Sequence, residues 1–330
     1  MEPIVTIEDL NVAFAADGGT VRALAGVSLV LRRGRITGIV GESGSGKSVL
    51  ASTILRLLPR NGRIERGSIM LEREGGPIDL AALPARGRAI ESIRGNDIGI
   101  VFQEPVAAFS PVHTIGNQMV EAIGRHHRVS RRAARDLAID ALAKVGIANP
   151  AQRFDQYAFE LSGGMRQRAM IATALVGRPR LLIADEPTTA LDVTIQAQVL
   201  DLIRTVRAET DMAIMFITHD LGVVAQLADD IAVMYLGSIV EVGPVRAIFS
   251  NPAHPYTRNL LAAVTARGGQ RGKLAAIPGQ IPGPFDRPAG CPFHTRCAVS
   301  IDGRCAREVP ELVALGGGHS AACLQLEAAP

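Results

Sequence analysis

The chain has 330 residues, of which 47% are hydrophobic, so it can bury a sizeable core and form about two domains. Its 35 basic and 32 acidic residues give a net charge of +3, which excludes a polyelectrolyte that acts through bulk charge. The N-terminal sequence MEPIVTIEDLNVAF lacks a signal peptide's basic segment and apolar run, and no stretch approaches the ~18 apolar residues of a membrane helix. We therefore expect a soluble, cytosolic chain.

The predicted elements alternate between strands and helices along the chain. Short strands and turns fill the first forty residues, and a helix over 48–58 is expected to stop at Pro59. A second helix is predicted over 130–147, with Ser130 as its N-cap. Further strands are predicted in RLLIAD (180–185), MAIMFITHD (212–220) and DIAVMYLG (230–237). This alternation indicates an α/β core.

The texture changes after about residue 250, where IPGQIPGPFDRPAG (277–290) is rich in Pro and Gly and predicts a separate appendage. The part of the chain after residue 250 contains all four cysteines, spaced C-x₅-C-x₇-C-x₁₇-C: Cys291, Cys297, Cys305 and Cys323. Clustered cysteines in a reducing compartment bind metal or do redox chemistry more often than they form disulfides. The spacing matches neither the tight pairs of structural zinc sites nor the ferredoxin pattern. An iron–sulfur centre, a zinc site and free or disulfide-linked thiols therefore all stay open.

GESGSGKS (41–48) matches the phosphate-binding pattern G-x-x-x-x-G-K-[ST], and it lies between an apolar strand and a helix, as that motif requires. Backbone N–H groups of 43–48 are expected to converge on phosphate oxygens at the helix N-terminus. Lys47 would add a positive charge and Ser48 a hydroxyl ligand for Mg²⁺. The residues expected to bind ATP here are Gly41, Ser43, Gly44, Ser45, Gly46, Lys47, Ser48 and Val49.

A pair of acids ends the apolar strand in LLIADEP (181–187). Two adjacent carboxylates are costly to bury unless a cation or a proton compensates them. We expect Asp185 to hold Mg²⁺, usually through water, and Glu186 to lie beside the γ-phosphate. With the phosphate loop, this pair predicts a nucleotide hydrolase.

A second Gly-rich turn at a helix start, LSGGMRQR (161–168), lies about twenty residues before the acidic pair. One chain needs a single such turn for its own phosphates, so the second is expected to serve another nucleotide. Five motifs in this order make the chain resemble the ATP-binding cassette (ABC) family over nearly its whole length. They are GESGSGKS, VFQEP with Gln103, LSGGMRQR, IADEPTTALD and ITHD with His219.

The resemblance implies an α/β fold: an ABC-type P-loop nucleotide-binding domain over 1–250. That domain would consist of a RecA-like core, an antiparallel β subdomain and a helical subdomain at about 104–175. A C-terminal extension with the four-cysteine site would follow over 251–330.

The resemblance also implies roles for single residues. Phe14 would stack on adenine, and Gln103 would contact Mg²⁺ and the attacking water. Glu186 would act as the general base, and His219 would contact the γ-phosphate and orient Glu186.

Other residues would act between two cassettes that sandwich two ATP molecules. Asp192 would bridge the two subunits. Ser162, Gly163 and Gly164 would contact ATP that is bound by the opposite subunit.

NPAHPYTRNLLAAV (251–264) resembles the His-Pro-Tyr-Thr signature of the oligopeptide/dipeptide importer branch, whose members usually have Pro-His where this chain has Ala158 and Phe159. The implied function is ATP hydrolysis that powers peptide import, with nickel or another small solute such as glutathione as alternatives. A non-transport ATPase acting on nucleic acid or ribosomes is the rival class. Its support is the basic stretch RHHRVSRRAAR (125–135), which lacks the interleaved aromatics of a nucleic-acid site.

The branch implies partners and a location. Two membrane permeases would dock near Gln103 and residues 104–160, a related second cassette would complete the pair, and an external solute-binding protein would deliver substrate. The chain would lie at the cytoplasmic face of the membrane. Because some members hold a [4Fe–4S] cluster at this tail, the resemblance favours iron–sulfur over Zn²⁺ at the cysteines.

Overall fold

The computed structural model describes residues 2–104, 108–189, 191–265 and 277–326, which form two β-sheets and the helices packed on them. The strands are β1 Pro3–Ala16, β2 Gly19–Arg32, β3 Ile36–Val40, β4 Gly62–Leu71, β5 Ile78–Asp79, β6 Ile98–Val101, β7 Leu181–Asp185, β8 Ala213–Ile217, β9 Asp230–Tyr235, β10 Ser238–Pro244, β11 Val313–Gly316 and β12 His319–Ala321. The α-helices are α1 Lys47–Ile54, α2 Arg88–Ile93, α3 Ile115–His126, α4 Arg131–Lys144, α5 Pro150–Phe154, α6 Gly163–Leu175, α7 Val193–Thr210, α8 Leu221–Leu227, α9 Val245–Ser250 and α10 Pro255–Thr265. Within these ranges, no helix combines the length and apolar character needed to cross a membrane.

The larger sheet has the strand order β11-β12-β10-β9-β3-β8-β7-β6. Its strands from β9 to β6 are parallel, whereas β10 and β12 pair antiparallel at the other end. Every residue of β3, β7 and β8 is buried, which is why these strands read as continuous apolar runs. The predicted α/β core is confirmed.

The smaller sheet is antiparallel, in the order β2-β1-β4-β5. Its apolar face packs on α1 and on one face of the larger sheet, as Leu10 and Leu24 share a cluster with Leu50, Ile39 and Ile183. This sheet therefore covers the helix that follows the phosphate loop.

Helices α3 to α6 pack together over the other face of β7 and β8, in a cluster that includes Met119, Leu142 and Ile171. Ser130 caps α4 as predicted, since its hydroxyl accepts a 3.2 Å hydrogen bond from the Ala133 N–H. These helices lie within the region expected to form the helical subdomain, of which residues 105–107 are outside the described ranges.

The predicted helix over 48–58 is too long, because α1 ends at Ile54 rather than at Pro59. Arg56 takes a left-handed conformation, with φ of 55°. The Leu57 N–H then bonds to the Ser52 carbonyl at 2.8 Å, which is the pattern of a Schellman turn. Such a turn normally uses glycine, so the Arg56 position left no sequence signal.

The predicted helix over 130–147 is also too long, for the same reason, and α4 ends at Lys144. Gly146 has φ of 74°, and the Ile147 N–H bonds to the Leu142 carbonyl at 3.1 Å. Here glycine occupies the left-handed position that closes the Schellman turn.

The Pro- and Gly-rich composition predicted a separate appendage, but the C-terminal extension packs directly on the core. Strand β12 pairs with β10 and continues the larger sheet. Tyr235 of β9 contacts two aromatic rings of the extension, with its centroid 4.7 Å from that of Tyr256 and 5.2 Å from that of Phe293. The extension therefore shares both a sheet and an apolar cluster with the nucleotide-binding part.

A buried carboxylate fixes the start of the extension. Glu241 of β10 is 0% exposed and accepts hydrogen bonds from the backbone N–H groups of Ala253 (2.7 Å) and His254 (3.0 Å). Its Oε1 also lies 2.7 Å from His319 Nε2. Burial lowers the pKa of His254 to about 3, so its ring stays neutral, and Nδ1 accepts from the Tyr256 N–H at 3.0 Å. The His-Pro-Tyr signature is thus a backbone turn held by Glu241.

Replacing Glu241 with Ala should lower the free energy of unfolding by about 3 kcal/mol, because two backbone N–H groups and a histidine lose a buried charged acceptor. Urea unfolding of Glu241→Ala against the parent chain measures this. Glu209→Ala, at an exposed position near the end of α7, is the matched control. Equal stability of the two variants would contradict the anchoring role of Glu241.

Candidate functional site

Four parallel strands bring the predicted nucleotide-site residues together. The phosphate loop 41–48 follows β3, Gln103 follows β6, Asp185 and Glu186 end β7, and His219 follows β8. Because parallel strands end at one edge of a sheet, these segments meet even though they are far apart in the chain.

Lys47 lies at the centre of the phosphate loop and is 6% exposed. Its Nζ donates to the carbonyls of Gly41 (2.9 Å) and Glu42 (3.0 Å) and lies 3.4 Å from Ser45 Oγ. Burial lowers the pKa of Lys47, and the nearby carboxylates, with Glu186 first, oppose that effect. Lys47 therefore carries a poorly solvated positive charge, which an anionic ligand can neutralise.

The loop shape demands glycine at its first position. Gly41 has φ of 153°, and a Cβ there would lie 2.2 Å from the carbonyl oxygen of Met234. Gly46, with φ of 100°, precedes the first residue of α1. The N-terminus of α1 thus opens directly onto the loop.

Ser48 and Asp185 come together from the loop and from β7, with Ser48 Oγ donating to Asp185 Oδ1 at 3.1 Å. Burial raises the pKa of Asp185, and so does Glu186, whereas the Ser48 hydrogen bond and Lys47 lower it. A hydroxyl beside a partly desolvated carboxylate is a set of oxygen ligands that suits Mg²⁺.

Glu186 lies next to this pair in a left-handed conformation, with φ of 46°, and its N–H bonds to the Ile217 carbonyl at 3.0 Å. Three side chains contact one oxygen of its carboxylate. Oε2 lies 2.8 Å from Thr189 Oγ1, 3.3 Å from Gln103 Nε2 and 3.3 Å from His219 Nδ1. The structure thus brings Gln103, Glu186 and His219 together as predicted.

Sequence reasoning missed Thr189. A signal was available, because Thr189 follows Glu186 by three residues and its own N–H bonds back to the Glu186 carbonyl at 3.1 Å. A threonine at that spacing in a turn can place its hydroxyl on the preceding carboxylate.

A cavity of about 400 Å³ opens over these groups and is lined by Lys47, Gln103 and Glu186. Part of its wall comes from β2, at residues 21–23, and part from the C-terminal extension, at residues 281–284 and Arg287. The contribution of the extension was not predicted.

Phe14 is not among the described residues that line this cavity. Its half-buried ring packs instead within the smaller sheet, so close to Gly62 that a Cβ there would lie 2.6 Å from the ring. Val21 and Ala23, on the neighbouring strand β2, line the cavity, and the stacking of Phe14 on adenine stays a prediction.

The second Gly-rich turn, LSGG at 161–164, is called the signature turn below. It is not part of the described cavity lining and lies on an exposed face. Ser162 caps α6 and accepts a 3.4 Å hydrogen bond from the Met165 N–H, and Gly163 is exposed beside it. Gly164 packs against Ile195 of α7, where a Cβ would lie 2.9 Å from the Ile195 side chain.

Asp192 is exposed next to this turn. It caps α7, since its Oδ1 accepts from the Ile195 N–H at 2.9 Å. The following Val193 is 84% exposed. The signature turn and Asp192 therefore form one outward-facing surface.

The four cysteines lie close to one another in the extension as free thiols. The pKa of the Cys291 thiol is raised to about 11, mainly by burial and also by the nearby thiols of Cys305, Cys323 and Cys297. Within the described ranges, however, no group of three or more His, Cys, Asp or Glu side chains is arranged to hold a metal ion. The structure gathers the cysteines but does not support the predicted [4Fe–4S] or zinc site.

Sequence comparisons identify two matching family profiles. The profile described as ABC transporter matches residues 24–189, and that of the oligopeptide/dipeptide transporter C-terminal region matches residues 240–305. A putative peptide import ATP-binding protein of Brucella abortus (strain 2308) is 47% identical, covering 98% of this chain and 97% of its own length. The dipeptide transport ATP-binding protein DppD of Bacillus subtilis (strain 168) is 44% identical, covering 98% of this chain and 95% of its own.

Two solved structures illustrate the fold that this chain shares. The cassette MJ0796, a dimer in a post-hydrolysis state bound to ADP and Pi, matches 73% of this chain and 99% of its own, with a TM-score of 0.65 and 24% identity. The cbiO1 structure from Clostridium perfringens, part of the ABC transporter complex cbiONQ, matches 76% of this chain and 92% of its own, with a TM-score of 0.61 and 28% identity. At 24% identity, the likeness to MJ0796 shows a shared fold and nothing more.

Proposed function

The chain is an ATPase of the ABC transporter family, and we propose that its ATP hydrolysis drives the import of dipeptides or oligopeptides through partner permeases. The observation that carries this proposal is likeness over 98% of the chain to proteins named for peptide import, together with the match of its extension to the oligopeptide/dipeptide profile. The site geometry supplies the chemistry, because a loop for phosphates lies beside a carboxylate that can activate water.

We infer that ATP binds with its β- and γ-phosphates on the loop 41–48. Lys47, already desolvated and held over the loop, would satisfy phosphate charge, and the N-terminus of α1 would add backbone N–H groups. Ser48 and Asp185 would hold Mg²⁺, because their oxygens lie 3.1 Å apart on two different elements. When bound, the ion would neutralise charge that develops on the phosphate oxygens.

Glu186 is the proposed general base for the attacking water. Thr189, Gln103 and His219 all contact its Oε2, so they would fix the carboxylate plane and direct Oε1 towards a water molecule. Gln103 would also contact that water. His219, with 64% of its side chain exposed, has room to reach the γ-phosphate.

The outward-facing surface of Ser162, Gly163, Gly164 and Asp192 supports an ATP site shared between two cassettes. A Gly-rich helix start suits phosphate, yet this one is absent from the described lining of the chain's own cavity. It would therefore contact ATP that is held by a second, related cassette, with Asp192 at the subunit boundary. ATP would close the pair, and loss of the γ-phosphate would open it.

Exposed apolar side chains within or next to residues 104–160 support docking of the permeases there. Phe102, Val112 and Phe159 are 43%, 72% and 67% exposed, and the Phe159 ring stacks on Tyr157 with 5.3 Å between centroids. A stacked pair of exposed aromatic rings such as Tyr157 and Phe159 is typical of a protein interface. Phe159 is also one of the two positions at which this chain departs from the branch, so the local contact would differ. We place the chain at the cytoplasmic face of the membrane, with an external binding protein delivering substrate.

A metal centre at the four cysteines stays a proposal. Four free thiols in a small, Pro- and Gly-rich segment suit an iron–sulfur cluster or Zn²⁺ in donor type and number, and such a centre would staple that segment. No step of ATP hydrolysis requires it, so its role would be structural or regulatory.

The Glu186→Gln variant should bind ATP but turn it over about 10²- to 10⁴-fold more slowly, because a positioned base is lost. Cells that carry this variant should fail to take up a labelled dipeptide, whereas Glu209→Gln, at an exposed position, should take it up normally. Normal ATP turnover by Glu186→Gln in the assembled transporter would rule out its role as the base. Loss of nickel uptake with intact peptide uptake would reassign the substrate.

Protein purified without oxygen should be brown, absorb broadly near ~400 nm and contain about four irons per chain if an iron–sulfur cluster binds. Each single change of Cys291, Cys297, Cys305 or Cys323 to Ser should lower that iron. One equivalent of zinc in colourless protein would favour a zinc site instead. Metal-free protein with four titratable thiols would reject both.

A further inference from the structure

Glu42, the second residue of the phosphate loop, is bound by two residues that lie more than 200 positions further along the chain. Its backbone N–H donates to Tyr256 Oη at 2.9 Å. Its carboxylate accepts from both terminal nitrogens of Arg296, at 2.7 Å to Oε2 and 3.2 Å to Oε1. Both partners belong to the C-terminal extension.

Arg296 is itself held rigidly. Its side chain is 3% exposed, and Nε donates to the Pro278 carbonyl at 3.0 Å. Its Nη1 also donates to Tyr235 Oη at 3.3 Å. A two-pronged, desolvated Arg–carboxylate pair of this kind fixes geometry as well as charge, and a lysine cannot reproduce it.

Lys47 links the same residue to the proposed ATP site, because its Nζ donates to the Glu42 carbonyl at 3.0 Å. The N–H, the carbonyl and the carboxylate of Glu42 are thus each bound, and the extension binds two of the three. A phosphate loop works by holding several N–H groups and a lysine in one converged shape, so a fixed Glu42 preorganises that shape for the triphosphate.

The extension also reaches the site directly. Residues 281–284 and Arg287 line the same cavity as Lys47 and Glu186. Part of the extension therefore lines the cavity, and Arg296, which also bonds to Pro278, ties the extension to the phosphate loop at Glu42.

We propose that Arg296 and Tyr256 are positioning residues for ATP binding, through which the C-terminal extension holds the phosphate loop in its binding shape at Glu42. The inference rests on the proposed ATP site at 41–48. Since Arg296 lies between Cys291 and Cys297 in the chain, the four-cysteine segment and the phosphate loop share this connection.

The test compares Tyr256→Phe and Arg296→Lys with the parent in the assembled transporter. Tyr256→Phe removes one hydroxyl and should raise the KM for ATP about three- to tenfold, and Arg296→Lys should raise it about tenfold or more, each with kcat nearly unchanged. Arg307→Lys, at an exposed position, is the matched control for Arg296→Lys and should leave both constants unaltered. A role confined to folding would lower kcat through loss of active protein and leave KM unchanged, and that result would overturn the proposal.

A double-mutant cycle with Glu42→Gln measures whether Arg296 acts through Glu42. In the Glu42→Gln background, Arg296→Lys should change ATP affinity by less than twofold, as read from titration with a fluorescent ATP analogue. Independent, additive effects would contradict the coupling. Lys47→Ala separates this inference from the site itself: unimpaired ATP binding by Lys47→Ala would reject the proposed ATP site. Lost binding there, with unchanged affinity in Tyr256→Phe and Arg296→Lys, would reject only the positioning role.

Discussion

The function of this chain depends on the parallel pairing of β6, β7, β8 and β3, whose carboxyl ends meet at one edge of the sheet. The strands themselves are buried and mostly apolar, and the polar residues of the site lie where the strands end. This places Lys47 and Glu186 in the wall of one cavity, with Asp185 bonded to Ser48 of the same wall, and the charges of the lysine and the two acids partly compensate one another. An anionic nucleotide with its cation would complete that balance of charge.

The remaining elements hold this edge in place from three sides. The antiparallel sheet packs on α1, the helical part packs behind β7, and the C-terminal extension continues the sheet through β12. The extension matches the profile of the oligopeptide/dipeptide transporter C-terminal region, and Glu241 and the Glu42–Arg296 pair attach it to the core. The extension is thus built into the nucleotide-binding part rather than appended to it.

The sequence predicted most of the candidate site, because short motifs of fixed spacing place Lys47, Asp185 and Glu186 at strand ends whatever the rest of the fold does. It did not predict features that depend on strand register or on partners far apart in the chain. The position of Phe14 depends on how β1 pairs, and that strand has several register shifts that re-aim its side chains. The Arg296–Glu42 pair joins residues 254 positions apart, which no local pattern encodes.

We propose that each ATP site is completed by another cassette, since Ser162 and Asp192 face outward while Lys47 and Glu186 line the cavity. The most direct measurement is ATPase activity per chain as a function of protein concentration, for the purified chain and for the chain assembled with its permeases and partner cassette. We expect little activity from the dilute chain, a rise with concentration, and full activity in the assembly. Robust activity of the isolated monomer, independent of concentration and unaffected by assembly, would contradict it.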